Sequence, residues 1–241
     1  MASHLRSTGR LVLVAGGTGG LGRAVSLAFL KEGAHVVVTY RKQDEFDSLI
    51  NEADGSSSQI DGHDVDVTNE ADVCRLVDGI VARYGRLDVM VNTVGGYAGG
   101  AKLWELDTRV FDQMLILNLR AGYVLSRAAV GVMLKQGSGA IVNIASRAAI
   151  VHEGGAAAYA ASKAAAVAMI DSLAEDLKGT GIRVNSVLPS IFDTKANRKA
   201  MPQADFTKWP KAEDIASVVV FLCGDGGKVI HGAAIPVFGN K

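Results

Sequence analysis

The chain has 241 residues, 49% of them hydrophobic and 21% charged, with 25 lysines and arginines balanced by 25 acids. That apolar content excludes a disordered chain, and the length suffices to bury a large core without a disulfide or metal staple. A formal charge of zero argues against a general nucleic-acid binder, because neutralising phosphates needs a basic surplus.

The polar opening, residues 1–10, holds no secretory signal core, and no uncharged apolar stretch approaches the ~18 residues that cross a bilayer. A cytoplasmic protein with no membrane partner is expected. Short apolar runs then alternate with helix-period segments, the pattern of βα repeats that build a parallel sheet covered on both faces. Strands are expected at 11–14, 35–40, 61–67, 87–92, 140–145, 183–188 and 233–237, and helices at 20–32, 69–84, 108–135, 155–178 and 212–223. Most of these strands are apolar on successive residues, as burial on both faces demands. Gly33 and Gly179 stand where helices need a left-handed C-terminal residue. Segment 41–58 is polar, so any helix there is short. Cys74 and Cys223 lack Cys-x-x-Cys spacing and read as small buried hydrophobes of a reducing compartment. No linker or repeat divides residues 1–241, which read as one α/β domain with a doubly wound, seven-stranded parallel sheet flanked by helices.

The first strand runs into Ala15-Gly16-Gly17-Thr18-Gly19-Gly20-Leu21-Gly22 and then an amphipathic helix. Glycines at such a point allow a tight turn, close approach of backbone to a pyrophosphate, and close helix–strand packing. The helix N-terminus offers N–H groups and positive dipole to phosphates. At the end of the second strand, where a carboxylate would take the 2′-hydroxyl of NAD, stand Thr39-Tyr40-Arg41-Lys42. Adjacent cations suit the 2′-phosphate of NADP, so NADP(H) is the favoured cofactor and NAD remains open.

Tyr159 and Lys163, at i and i+4 of an expected helix, project from one face. A neighbouring ammonium is expected to lower the phenol from its ordinary pKa near 10 towards the range useful for proton transfer. Ser146 ends a strand, at the sheet edge where ligands of open parallel sheets bind.

Taken in order, these motifs resemble the short-chain dehydrogenase/reductases, the 3-oxoacyl carrier-protein reductases among them, over nearly the whole chain. The matches are Gly16-x-x-x-Gly20-x-Gly22, Asp66-Val67, Asn92-Thr93-Val94-Gly95, Asn118-Leu119, Ser146, Tyr159-x-x-x-Lys163 and Val184-Asn185-Ser186-Val187-Leu188-Pro189. The resemblance implies a Rossmann fold. It also implies that Tyr159 is the general acid/base, that Lys163 lowers its pKa and holds the nicotinamide ribose, that Ser146 binds the substrate carbonyl, and that Asn118 holds a water of the proton relay. The cofactor would lie along Gly16, Thr18, Gly20, Leu21, Gly22, Arg41, Asp66, Val67, Asn92, Gly95, Pro189 and Thr194, beside Tyr159 and Lys163.

Departures are Ala15 for the usual Thr, Thr93-Val94 for Asn-Ala, and Ser190 where Pro-Gly is common. The stretch from Pro189 to Asp214 is short for the family, which leaves a small substrate loop at about 189–211. The ending Val237-Phe238-Gly239-Asn240 weakens the expectation of a tetramer within a general expectation of a homo-oligomer, tetramer or dimer. Tyr97, Arg147 and His152 are candidate pocket edges. Lys195, Arg198 and Lys199 read either as a site for an acidic group or as a solvated loop. The five histidines are scattered, with no metal spacing. The activity implied is reduction of a carbonyl by NADPH, or the reverse alcohol oxidation, with a 3-oxoacyl thioester as the first candidate substrate. Alternatives are an NAD(H)-linked dehydrogenase of a small alcohol or sugar, and a dinucleotide-binding sensor without turnover. The intact Ser146, Tyr159 and Lys163 argue against a sensor.

Overall fold

The computed structural model describes residues 9–239; the opening segment through residue 8 and Asn240 of the C-terminal ending lie outside them. Strands β1 (Leu11–Ala15), β2 (His35–Tyr40), β3 (Ile60–Asp64), β4 (Val89–Asn92), β5 (Gly139–Ile144), β6 (Ile182–Pro189) and β7 (Ala234–Val237) form one sheet in the order β3-β2-β1-β4-β5-β6-β7. Every pairing is parallel. The helices are α1 (Gly20–Lys31), α2 (Gln43–Glu52), α3 (Glu70–Tyr84), α4 (Thr108–Leu115), α5 (Ala121–Gln136), α6 (Ala157–Asp176), α7 (Lys195–Ala200) and α8 (Ala212–Cys223). Val25 and Phe29 of α1 pack with Ile215 and Leu222 of α8 on one face of the sheet. Val73 and Val77 of α3, Leu125 of α5 and Ile170 of α6 cover the other. All five residues of β1 are buried, which is why its sequence shows no alternation. The chain runs outward from β1 to β3, then returns to β4 on the other side of β1. That reversal opens a crevice at the C-terminal strand ends.

The structure departs from the sequence expectation at identifiable places. β3 stops at Asp64 instead of 67, because the Asp66 carboxylate turns back to accept from the Thr68 N–H (3.0 Å) and hydroxyl (2.7 Å), a local turn that competes with the ladder. The expected helix 108–135 is continuous in pattern but passes through a π turn, Ile116–Arg120, between α4 and α5. This run, Thr108–Gln136, is long and apolar enough to cross a bilayer, so the expectation about membrane spans holds only for uncharged stretches; its inner side packs against α3 and β4. Cys74 is exposed on α3, against expectation, whereas Cys223 is buried and its thiol is pushed up to about 12 by that burial. Gly33 and Gly179 adopt φ of +76° and +79°, as their helix-ending positions require.

Candidate active site

The glycine turn after β1 is closed by hydroxyls from neighbouring strands. Gly16, at φ +74°, donates its N–H to Thr39 Oγ1 (2.9 Å), and Thr93 Oγ1 donates to the Ala15 carbonyl (2.7 Å). Thr93 thus supplies the brace that Ala15 lacks; two departures from the family pattern compensate each other. A Cβ on Gly22 would lie 2.0 Å from the Gly16 carbonyl oxygen, so the turn admits only glycine there. A Cβ on Gly20 would come 2.9 Å from Thr194 Cγ2, which places the segment after β6 directly over the turn. α1 starts at Gly20 with no side-chain cap on Gly19, so its first-turn amides present donors and positive dipole to an anion. This cradle fits a pyrophosphate.

At the far end of the cradle, Arg41 pairs with Asp66 (3.6 Å). Hydrogen bonds from Thr68, and secondarily Arg41, hold the Asp66 carboxyl below its usual range. Val67 packs in the core. Asn92 is buried and spends its amide on Asn143 Oδ1 (2.8 Å) and the Val94 N–H (3.1 Å), which braces β4 to β5. Gly95 allows close packing: a Cβ there would meet Asn118 Oδ1 at 2.8 Å and Lys163 Nζ at 3.0 Å.

Asn118 lies in the π turn, and its side chain bonds back to the protein. Its Oδ1 accepts from the Gly96 N–H (2.9 Å), and its Nδ2 donates to the Gly96 carbonyl (3.0 Å) and Ser162 Oγ (2.9 Å). These bonds spend both amide protons and one of the two acceptor positions of Oδ1. Ser162, which sequence reading missed, donates in turn to the Tyr159 carbonyl (2.8 Å) and fixes that turn of α6. It stands one residue before Lys163, and only its buried position marks it.

Ser146 caps the short turn Arg147–Ala149, its Oγ accepting from the Ala148 N–H (3.1 Å), and its hydroxyl lies near enough to the Tyr159 phenol to favour the phenolate. Tyr159 is half-buried, and desolvation raises its pKa; the Ser146 hydroxyl opposes this, and Tyr97, whose ring meets it edge-on at 4.9 Å, adds to it. Lys163 is buried, donates to the Ile144 carbonyl (2.9 Å), and is lowered to about 8 by desolvation. The expected depression of the phenol by Lys163 is thus not found: burial raises the phenol, and the amine donates to a backbone carbonyl.

Pro189 ends β6 opposite Val237. In the following segment Arg198 is bidentate to Asp193 (2.6 Å each) and stacks over Phe206, so it is not a free cation, while Lys195 and Lys199 are exposed. Arg147 stacks over Phe238 and His152 is exposed. Among the described residues no His, Cys, Asp and Glu cluster could hold a metal.

The sequence pattern of the short chain dehydrogenases matches residues 10–205. A 3-oxoacyl-[acyl-carrier-protein] reductase of Thermotoga maritima is 32% identical over 98% of this chain and 99% of its own. D-threitol dehydrogenase of Mycolicibacterium smegmatis is also 32% identical, over 98% of this chain and 94% of its own. Among solved structures, ElxO with NADP bound superposes with a TM-score of 0.91 at 28% identity, covering 96% of this chain and 98% of that one. A variant of actinorhodin polyketide ketoreductase with NADPH gives 0.88 at 28% identity, covering 96% of each.

Proposed function

The chain belongs to the short-chain dehydrogenase family, whose members here are named oxidoreductases, and from that premise we propose that it moves hydride between NADP(H) and a carbonyl or alcohol carbon through Ser146, Tyr159 and Lys163. The observation that carries this reading is the buried Lys163 amine bound to the Ile144 carbonyl at the C-terminal end of β5, with Tyr159 one turn back on α6, Ser146 just after β5 and the glycine cradle beside them.

The first-turn amides of α1, at Gly20, Leu21 and Gly22, would hold the pyrophosphate, with Thr18, Arg41 and Asp66 towards the adenosine and Gly95, Pro189 and Thr194 towards the nicotinamide. When bound, the dinucleotide supplies or takes the hydride. In the reducing direction negative charge grows on the substrate oxygen. The Ser146 hydroxyl hydrogen-bonds that oxygen and Tyr159 gives it a proton. A phenol kept protonated by burial suits the acid role. Lys163, one turn along α6, would hold the nicotinamide ribose.

The substrate we place first is a 3-oxoacyl thioester, in keeping with the name of the Thermotoga relative. The segment 189–211 then borders the substrate within a single dinucleotide-binding domain of a cytoplasmic homo-oligomer. Oxidation of a small polyol with NAD(H) is the second reading, supported by the D-threitol relative. Following absorbance at the nicotinamide band with 3-oxoacyl thioesters, simple ketones and polyols separates the two. Tyr159→Phe is expected to bind NADPH with an unchanged Kd and to lose turnover by ~10²–10⁴-fold, the usual weight of a general acid. Undiminished turnover in that variant overturns the assignment.

A further inference from the structure

The first turn of α2 brings a carboxylate to the adenosine end of the cradle that the order of residues conceals. Glu45 Oε2 lies 3.4 Å from the Thr18 hydroxyl, in the glycine turn, and Glu45 Oε1 accepts from Lys42 Nζ at 3.0 Å. Arg23, on α1, donates to the Glu45 backbone carbonyl (3.0 Å) and to the Ser48 and Glu52 side chains, which clamps α2 against the turn. A surface Lys–Glu pair at i and i+3 would need neither the Thr18 contact nor the clamp.

We propose that Glu45 is a cofactor-selecting residue that opposes the 2′-phosphate of NADPH and offers an acceptor to the 2′-hydroxyl of NADH. The inference rests on the dinucleotide reading above. Thr18 and Lys42 are donors that a 2′-phosphate at the end of β2 would recruit, and Glu45 holds both. Arg41 is likewise engaged, with Asp66. A dianion entering there takes these donors from the carboxylate and leaves it unneutralised at its side, whereas a ribose hydroxyl donates to it. The carboxylate that NAD-binding sites of this architecture carry at the end of the second strand is absent from residues 39–42, and Glu45 stands in for it from the next helix. The consequence is a chain whose two cations favour NADPH and whose acid narrows that preference.

Glu45→Gln keeps the size and removes the charge, at a half-exposed position where folding is not at stake. Kd values for NADPH and NADH are read from dinucleotide fluorescence, at low and at high salt. The variant is expected to tighten NADPH by about tenfold while NADH holds or weakens, as one removed like charge near a dianion implies, with the effect shrinking as salt screens it. Lys42→Met is expected to move NADPH the opposite way. An NADPH-to-NADH ratio unmoved by Glu45→Gln, or both dinucleotides changing alike, overturns the proposal and leaves the dinucleotide reading standing. A wild-type protein that binds neither dinucleotide overturns both.

Discussion

Lys163 holds the sharpest conflict between stability and chemistry in the chain. Its ammonium is taken out of water against the Ile144 carbonyl, and its pKa falls to about 8 from 10.5. The unfolded chain keeps the higher value, so between pH 8 and 10.5 it binds more protons than the folded one, and stability gained from this group rises with pH in that window. Below pH 8 the full cost of burying the charge is present; above 10.5 it is gone. The shift corresponds to about 3 kcal/mol. Unfolding free energies of wild type and Lys163→Met, measured in urea at pH 7 and pH 10, are therefore expected to differ so that wild type gains about 2–3 kcal/mol relative to the variant over that range. A difference that stays flat shows that the amine is not buried as a cation. The proposed role of the amine at the nicotinamide ribose would account for a cost that an apolar residue of similar length avoids.

At the scale of elements, the π turn between α4 and α5 ties the site together, because the extra residue in its wide turn sets Asn118 against the Gly96 backbone and Ser162 at once. Asn118→Ala leaves the Gly96 amide and carbonyl without these partners and is expected to destabilise by ~2–4 kcal/mol, with faster hydrogen exchange at Gly96. Exchange as slow as in wild type would show that the loop is held by other means. Nothing in the sequence announces this turn, since the apolar period runs through it unbroken. The strands were legible for the opposite reason: β1, β2 and β4 are buried on both faces, so their composition alone marks them, and the glycines at 33 and 179 mark helix ends by the φ they must adopt. The end of β3 was misread because Val65 and Val67 continue an apolar impression while Asp66 folds back on Thr68. In the site, residue identities and their order were legible in Ser146, Tyr159 and Lys163. Their electrostatics were not, because desolvation depends on which neighbours pack around them. The roles of Glu45 and Thr93 stayed hidden because Thr18 and Ala15, which they meet in the glycine turn, are distant in sequence.

At the scale of the whole molecule, one exposed apolar patch lies apart from the proposed site, on the outer face of the α4–α5 run. Leu115, Ile116, Leu119 and Tyr123, with Met169 of α6 and with Arg120 at the edge, line a shallow depression of about 480 Å³, and Ile116 and Tyr123 are 45% and 48% exposed. The π turn contributes here too, since it sets Asn118 inward and Ile116 outward within one turn. In the homo-oligomer proposed above, a twofold axis would lay these residues against their copies and cover the patch. Sedimentation of the wild type at micromolar concentration is accordingly expected to give a dimer or larger, and Tyr123→Glu a monomer. Each twofold would bring two carboxylates into an apolar seam, at a cost of several kcal/mol and so at least a hundredfold in dissociation constant. Because Tyr123 lies outside the cradle, the monomeric variant is expected to keep NADPH binding. A wild type that sediments as a monomer, or a Tyr123→Glu that assembles unchanged, would show that this face serves some other contact.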